Sequence, residues 1–166
     1  MVYGIRVLLP FHDIKAKRLT TIGEVIEIDS EGRAQNIFSQ GLGELVYAKH
    51  QEKKGKRILV HQTQLYKIGG IETAHKQLVK AFPDHDITFV FERADQLQAI
   101  ELAKNASVIL DDGLRTYEAD VCLLSNYGTN PAILKRIKAG KIYQFIHTDW
   151  VNFRKFYGDT WRTNKR

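Results

Sequence analysis

The chain has 166 residues, which suits one good core or a core with a small appendage. A hydrophobic content of 43% excludes wholesale disorder, and no apolar run nears the ~20 residues needed to cross a bilayer. The net charge of +6 suits an anionic partner, but no basic run is interleaved with aromatics as single-strand binding requires. A solvated, lysine-rich surface is therefore the plainer reading, and no specific nucleic acid is expected.

The start, "MVYGIRVLLPFHD", has a short apolar core followed by proline, histidine and aspartate, with no small-residue cleavage site, and so predicts no signal peptide. "YGIRVLL" (3–9) reads as a strand. His12 and Asp13 are neighbours that face opposite ways on an extended chain, and read as an ordinary loop pair. "EVIEI" (24–28) alternates and predicts a strand with Val25 and Ile28 inward. Ser30 caps a predicted helix whose apolar face is Ile37 and Phe38 and whose stop is Gly41. "ELVYA" (44–48) reads as a returning strand. Residues 1–48 thus form a small α+β unit, too short for much of a core, which is expected to pack on the rest of the chain or on another chain. The charged, glycine-containing segment at 49–56 reads as a linker, leaving 57–166 as a second unit.

In that second unit strands and helices alternate. Strands are predicted at "RILVHQT", "ITFVFE" (87–92), "SVILDD" (107–112), "ADVCLLSN" (119–126) and "KIYQFIHT" (141–148). Helices are predicted at "GIETAHKQLVKAF", "ADQLQAIELAKNA", "NPAILKRIKAG" (130–140, stopped by Gly140) and "DWVNFRKFYG" (149–158). Apolar strands between amphipathic helices predict an α/β fold with a doubly wound parallel sheet, Rossmann-like, covered on both faces. The stripe Ile71, Ala74, Leu78 and Phe82 is predicted to pack on the core, with His75 and Lys76 toward solvent. Cys122, in an apolar run and without a second cysteine, reads as a buried reduced thiol. A cytoplasmic location follows, with peripheral contact at the inner membrane face left open.

Ligands of such sheets bind beyond the carboxyl ends of the strands, which makes the loop residues there candidates. The pair Gly69–Gly70 opens a helix, where free N–H groups and the dipole favour an anion and the missing side chains let a phosphate approach. Helix-entry geometry alone explains the pair equally well. No G-x-G-x-x-G and no G-K-[ST] is present. Glu72 lies in the first helical turn, where a dipole partner or cap is the plain role. Tyr127 follows the fourth strand, and His147, Thr148 and Asp149 follow the fifth. An imidazole at that edge can donate to a hydroxyl or phosphate. Asp111 and Asp112 could be read as a metal pair or an acid–base dyad, but they diverge on a strand end and read better as loop caps. No zinc-type Cys/His spacing and no G-x-S-x-G elbow occurs, and no metal or cofactor is expected.

Two segments carry a resemblance. "LYKIGGIETAHKQLVKAF" resembles the first strand–loop–helix of family 4-type retaining glycosyltransferases of the GT-B fold. "ADVCLLSNYGTNPAILKRIKAGKIYQFIHTDW" resembles a later segment of their N-terminal, acceptor-side domain. The resemblance covers about 57–157. It implies half of a GT-B fold, with Gly69 and Gly70 near the donor diphosphate and His147 contacting the donor sugar and its phosphate. A nucleotide-sugar donor and a glycan, lipid-linked or cell-wall polymer acceptor would be the substrates. In that family a second Rossmann-like domain holds the nucleotide and an E-x7-E motif. Neither can be placed before Arg166, so a C-terminal domain is expected in cis or in trans, and the chain alone is expected to be inactive. The first 48 residues lie outside that pattern; "GEVIE" and the following helix loosely resemble small units of phage-type proteins. Two other readings compete. One is a non-catalytic interaction module binding an anionic partner; the other, disfavoured by the missing fingerprints, is an enzyme using another nucleotide cofactor.

Overall fold

In the computed structural model residues 1–65, 70–124 and 131–144 are described, without the side chains of 70–72. The chain is α/β, with an eight-stranded, mostly parallel sheet ordered β10-β9-β6-β7-β8-β5-β1-β4. The leading segment supplies β1 (Val2–Val7), β4 (Val25–Ile28) and β5 (Gly43–Lys49), with a two-residue-per-strand ribbon of β2 (His12–Asp13) and β3 (Arg18–Leu19) between. The rest supplies β6 (Arg57–Leu65), β7 (Asp86–Ala94), β8 (Ser107–Leu110), β9 (Tyr117–Leu124) and β10 (Ile137–Gln144), all mutually parallel. The two parts meet strand to strand: β5 pairs antiparallel with β8 through Tyr47↔Ile109 and Ala48↔Val108. They also share one apolar cluster, so residues 1–49 extend the sheet and its core together.

Along the central strands neighbouring residues go to opposite faces, as the two-residue period requires. Val60, Phe89, Phe91, Val108 and Leu123 join a first-face cluster; Leu59, Val90, Ile109, Cys122 and Leu124 join a second. On the first face lie residues of α1 (Glu31–Ser39), α2 (Gly70–Ala81) and α3 (Gln96–Ala103), while α4 (Pro131–Leu134) brings Ile133 to the second. Phe89 and Phe91 are wholly buried, and burial of side chains of this size contributes roughly 1.5–3 kcal/mol each.

Local chemistry explains most element ends. The Ser30 hydroxyl accepts from the Arg33 N–H, and Gly41 takes φ +68° just past the helix, where an L side chain would be strained. Asp95 caps α3 by accepting from the Gln98 N–H at 3.1 Å. Several expectations need correction. In β4 it is Ile26 and Ile28 that point inward, while Val25 is exposed, because strict alternation cannot bury both 25 and 28. In α2 His75 and Val79 are buried and Phe82, just past the helix, is 43% exposed. His75 therefore faces the sheet, with its ring 4.8 Å from that of Phe89, while Lys76 is exposed. The helix expected over 130–140 stops at Leu134. From Ile137 the chain pairs with Tyr117 onward as β10, so Gly140 is a strand residue beside the Asp120 carbonyl and no helix stop. The helix expected over 149–158 lies outside the described residues.

Candidate functional site

The chain runs β6, β7, β8 in one direction across the sheet, then returns to place β9 on the other side of β6, followed by β10. Helix-bearing connections serve the first leg. The return is a six-residue loop (111–116) which passes from β8 to β9. The neighbours that follow β6 and β9 lie on opposite sides of them, and it is between the carboxyl ends of strands so ordered that open α/β sheets leave a ligand crevice. Registers locate it: His61 is level with Leu124, and Leu124 with Gln144. Hence β9 and β10 end at one level and β6 continues four residues further, to Leu65.

Of the residues singled out above, Gly70 is the first residue of α2, at the helix mouth nearest this crevice, and Glu72 lies in its first turn. Gly69, Tyr127, His147, Thr148 and Asp149 lie outside the described residues, as does any grouping among them. Asp111 and Asp112 act as loop residues. Asp112 Oδ1 accepts from the N–H groups of Leu114 and Arg115 at 2.9 and 3.0 Å, which lets Gly113 turn through φ +80°.

Away from these carboxyl ends, the second face of the sheet carries a buried polar cluster, with Tyr117 at the start of β9 and Arg136 just before β10. His61 follows Leu59 by two and is fully buried; its Nε2 lies 3.7 Å from Glu92 Oε1. Asp111, at the end of β8, receives a two-pronged contact from Arg136, Nη1 to Oδ1 at 2.7 Å and Nη2 to Oδ2 at 2.5 Å. The Tyr117 hydroxyl donates to the same Oδ1 at 2.7 Å, and Arg136 Nη1 also donates to the Arg115 carbonyl. Burial alone would raise the Asp111 carboxyl, but Arg136 and Tyr117 together hold it below its ordinary range. Burial pushes the Tyr117 phenol up, aided by its bond to Asp111. Burial also lowers the His61 imidazole, so it is neutral at neutral pH. Asp111 is therefore a committed structural anion, unsuited to taking a proton, and its cluster pins the return loop. His61 is a buried titratable group of this face.

Gln62, Val60's neighbour on the first face, is also buried and donates to the Gln64 carbonyl at 2.7 Å. The signal that could have found the His61–Gln62 pair was in the sequence: two polar residues inside a strand buried on both faces. Arg136 left no such trace, because its partner is 25 residues away.

Among the described residues no group of three His, Cys, Asp or Glu side chains is arranged to hold a metal ion, and no helix is long and apolar enough to cross a membrane. No family model matches the chain, and no curated protein or solved structure is significantly similar to it.

Proposed function

We propose that this chain is the acceptor-side half of a GT-B-type glycosyltransferase, a Rossmann-like unit that transfers sugar from a nucleotide-sugar donor to a glycan, lipid-linked or cell-wall polymer acceptor. The observation that carries the reading is the reversal of strand order between β6 and β9, with a glycine-opened helix leaving β6 directly beside it. Such a crevice is where a phosphate-bearing ligand meets free backbone N–H groups. On this reading the Gly69–Gly70 mouth admits the donor diphosphate, and His147, beyond the end of β10, donates to the sugar or its phosphate. On the same reading Glu72, Tyr127, Thr148 and Asp149 are the further residues that bind the donor and its phosphate. Stabilising the charge that grows on the departing diphosphate is the main catalytic work. The other half of that charge stabilisation comes from a nucleotide-binding domain in cis or in trans, with no metal. The setting is cytoplasmic, with acceptor presented at the inner membrane face.

The test is turnover of the enzyme completed by that second domain. Gly70→Val places a branched side chain in the mouth and is expected to lower kcat/KM by roughly 100-fold or more, the scale of losing an oxyanion-type donor, with the thermal midpoint nearly unchanged. His147→Ala is expected to act likewise. Undiminished turnover in both variants would refute the proposal.

A further inference from the structure

A second concave site lies at the opposite edge of the sheet. Helices α2 and α3 run from the carboxyl edge back toward the starts of β7 and β8. Between their carboxyl halves is a cavity of about 390 Å³. Its floor is apolar, with Val79 and Leu102 buried beneath it. Its rim is cationic. Lys76 and Lys80 stand one turn apart on α2, and Lys53 reaches in from the connection between β5 and β6. That connection is anchored: the Gly55 N–H donates to the Asp84 carbonyl, and the Asp86 N–H donates to the Lys56 carbonyl, each at 3.0 Å. A Cβ at Gly55 would collide with the Asp84 carbonyl, so the close approach requires glycine here. The connection carrying Lys53 is thus anchored two to three residues further on, at Gly55 and Lys56, rather than being a free linker.

The lining carries three lysines and one carboxylate. Among the described residues none of the three lysines forms a close ion pair; Glu101, the one lining carboxylate, is engaged by Lys104 at 2.7 Å and at longer range by Lys76, and Lys53 acts at longer range on Asp86. An anion placed in the cavity is attracted by each of the three ammonium groups on its rim. Lysine serves phosphate as a point charge. The volume falls in the ordinary range for small-ligand sites, ~300–1,000 Å³. It is too small for a duplex, and no aromatic ring lines it to stack a base, which argues against nucleic acid.

We propose that this groove binds a phosphate group carried on a small, partly apolar body, from either a soluble phosphorylated polyol or glycan or a lipid headgroup. Lys53, Lys76 and Lys80 neutralise the phosphate, the Asn105 amide is placed to hydrogen-bond the body, and Val79 and Leu102 floor it. The site is independent of the crevice between β6 and β9, and so of the transferase reading.

The experiment titrates the full chain with inorganic pyrophosphate by calorimetry at low salt. In parallel it sediments the chain with phosphatidylglycerol and with phosphatidylcholine vesicles. Lys76→Glu/Lys80→Glu changes two exposed positions and is expected to weaken pyrophosphate or phosphatidylglycerol binding at least tenfold while circular dichroism is unchanged. Lys53→Ala, on the anchored connection, is expected to weaken it severalfold. Lys138→Glu/Lys141→Glu makes the same change of net charge on β10 and is expected to leave binding within twofold. Pyrophosphate binding lost only in the groove variants indicates the soluble source. Binding to anionic vesicles alone, lost in the same variants, indicates the headgroup. Binding of neither probe, or equal loss in the β10 variant, would overturn the site.

Discussion

Arg136 is the residue whose removal tests the tertiary reading most directly. Its guanidinium holds both oxygens of Asp111 and the carbonyl of Arg115, with side chains only 17% and 6% exposed for arginine and aspartate. In Arg136→Ala the carboxylate stays buried with Tyr117 as its remaining side-chain donor. Breaking one partner out of such a pair costs about 3 kcal/mol, the low end of the range because Arg136 keeps some contact with water. For a chain of this size that corresponds to a fall in Tm of about 6–12 °C. The pH dependence has a definite sign. In the native protein the Asp111 carboxyl is held low, so its contribution is present above the unfolded value of ~3.9 and is lost as pH falls through the depressed value. In the variant Tyr117 and Gly113 still donate but Arg136 no longer offsets burial, so the carboxyl rises relative to the native protein and acidification relieves part of the penalty. The gap between the two proteins is therefore widest at neutral pH and narrows toward pH ~4. Urea unfolding followed by circular dichroism at several pH values measures this, and a double-mutant cycle with Asp111→Asn isolates the pair. A loss under ~1 kcal/mol, or a coupling energy near zero, would show that the cluster does not pin the return loop.

Other consequences can be checked with the same preparation. Gly55→Ala must push the 50–56 connection off the Asp84 carbonyl and the His85 Cα, 2.9 Å from the added carbon, and is expected to cost about 1–3 kcal/mol in urea; a neutral result would mean that the anchoring is dispensable. Cys122 is fully buried, and burial pushes its thiol up to about 11, so a disulfide reagent should label the folded chain roughly 100-fold more slowly than the urea-unfolded one. Rapid native labelling would place that strand at the surface. Burial also lowers the His61 imidazole, so its contribution to stability is complete above the unfolded value of ~6.5 and declines as pH falls through the depressed value. His61→Gln should flatten the decline in urea midpoint between pH 7 and 5, and an identical slope would assign that decline to other groups.

The local pattern of the chain determined most of its elements. Alternation and apolar runs marked the strands, Ser30 marked a helix start and Gly41 a helix stop, because capping and φ preferences act within a few residues. The same reasoning misplaced the short α4, since Pro131 and the apolar run after it suit a helix equally well until pairing with Tyr117 draws Ile137 into the sheet. Only the tertiary structure decided that residues 1–49 join the large sheet through β5 and β8, that β9 returns beside β6, and that Arg136 meets Asp111. Nor could the sequence bring Lys53 to Lys76 and Lys80, which belong to separate elements. Each of these depends on contacts between residues far apart in the chain, where no periodicity or cap residue records the partner.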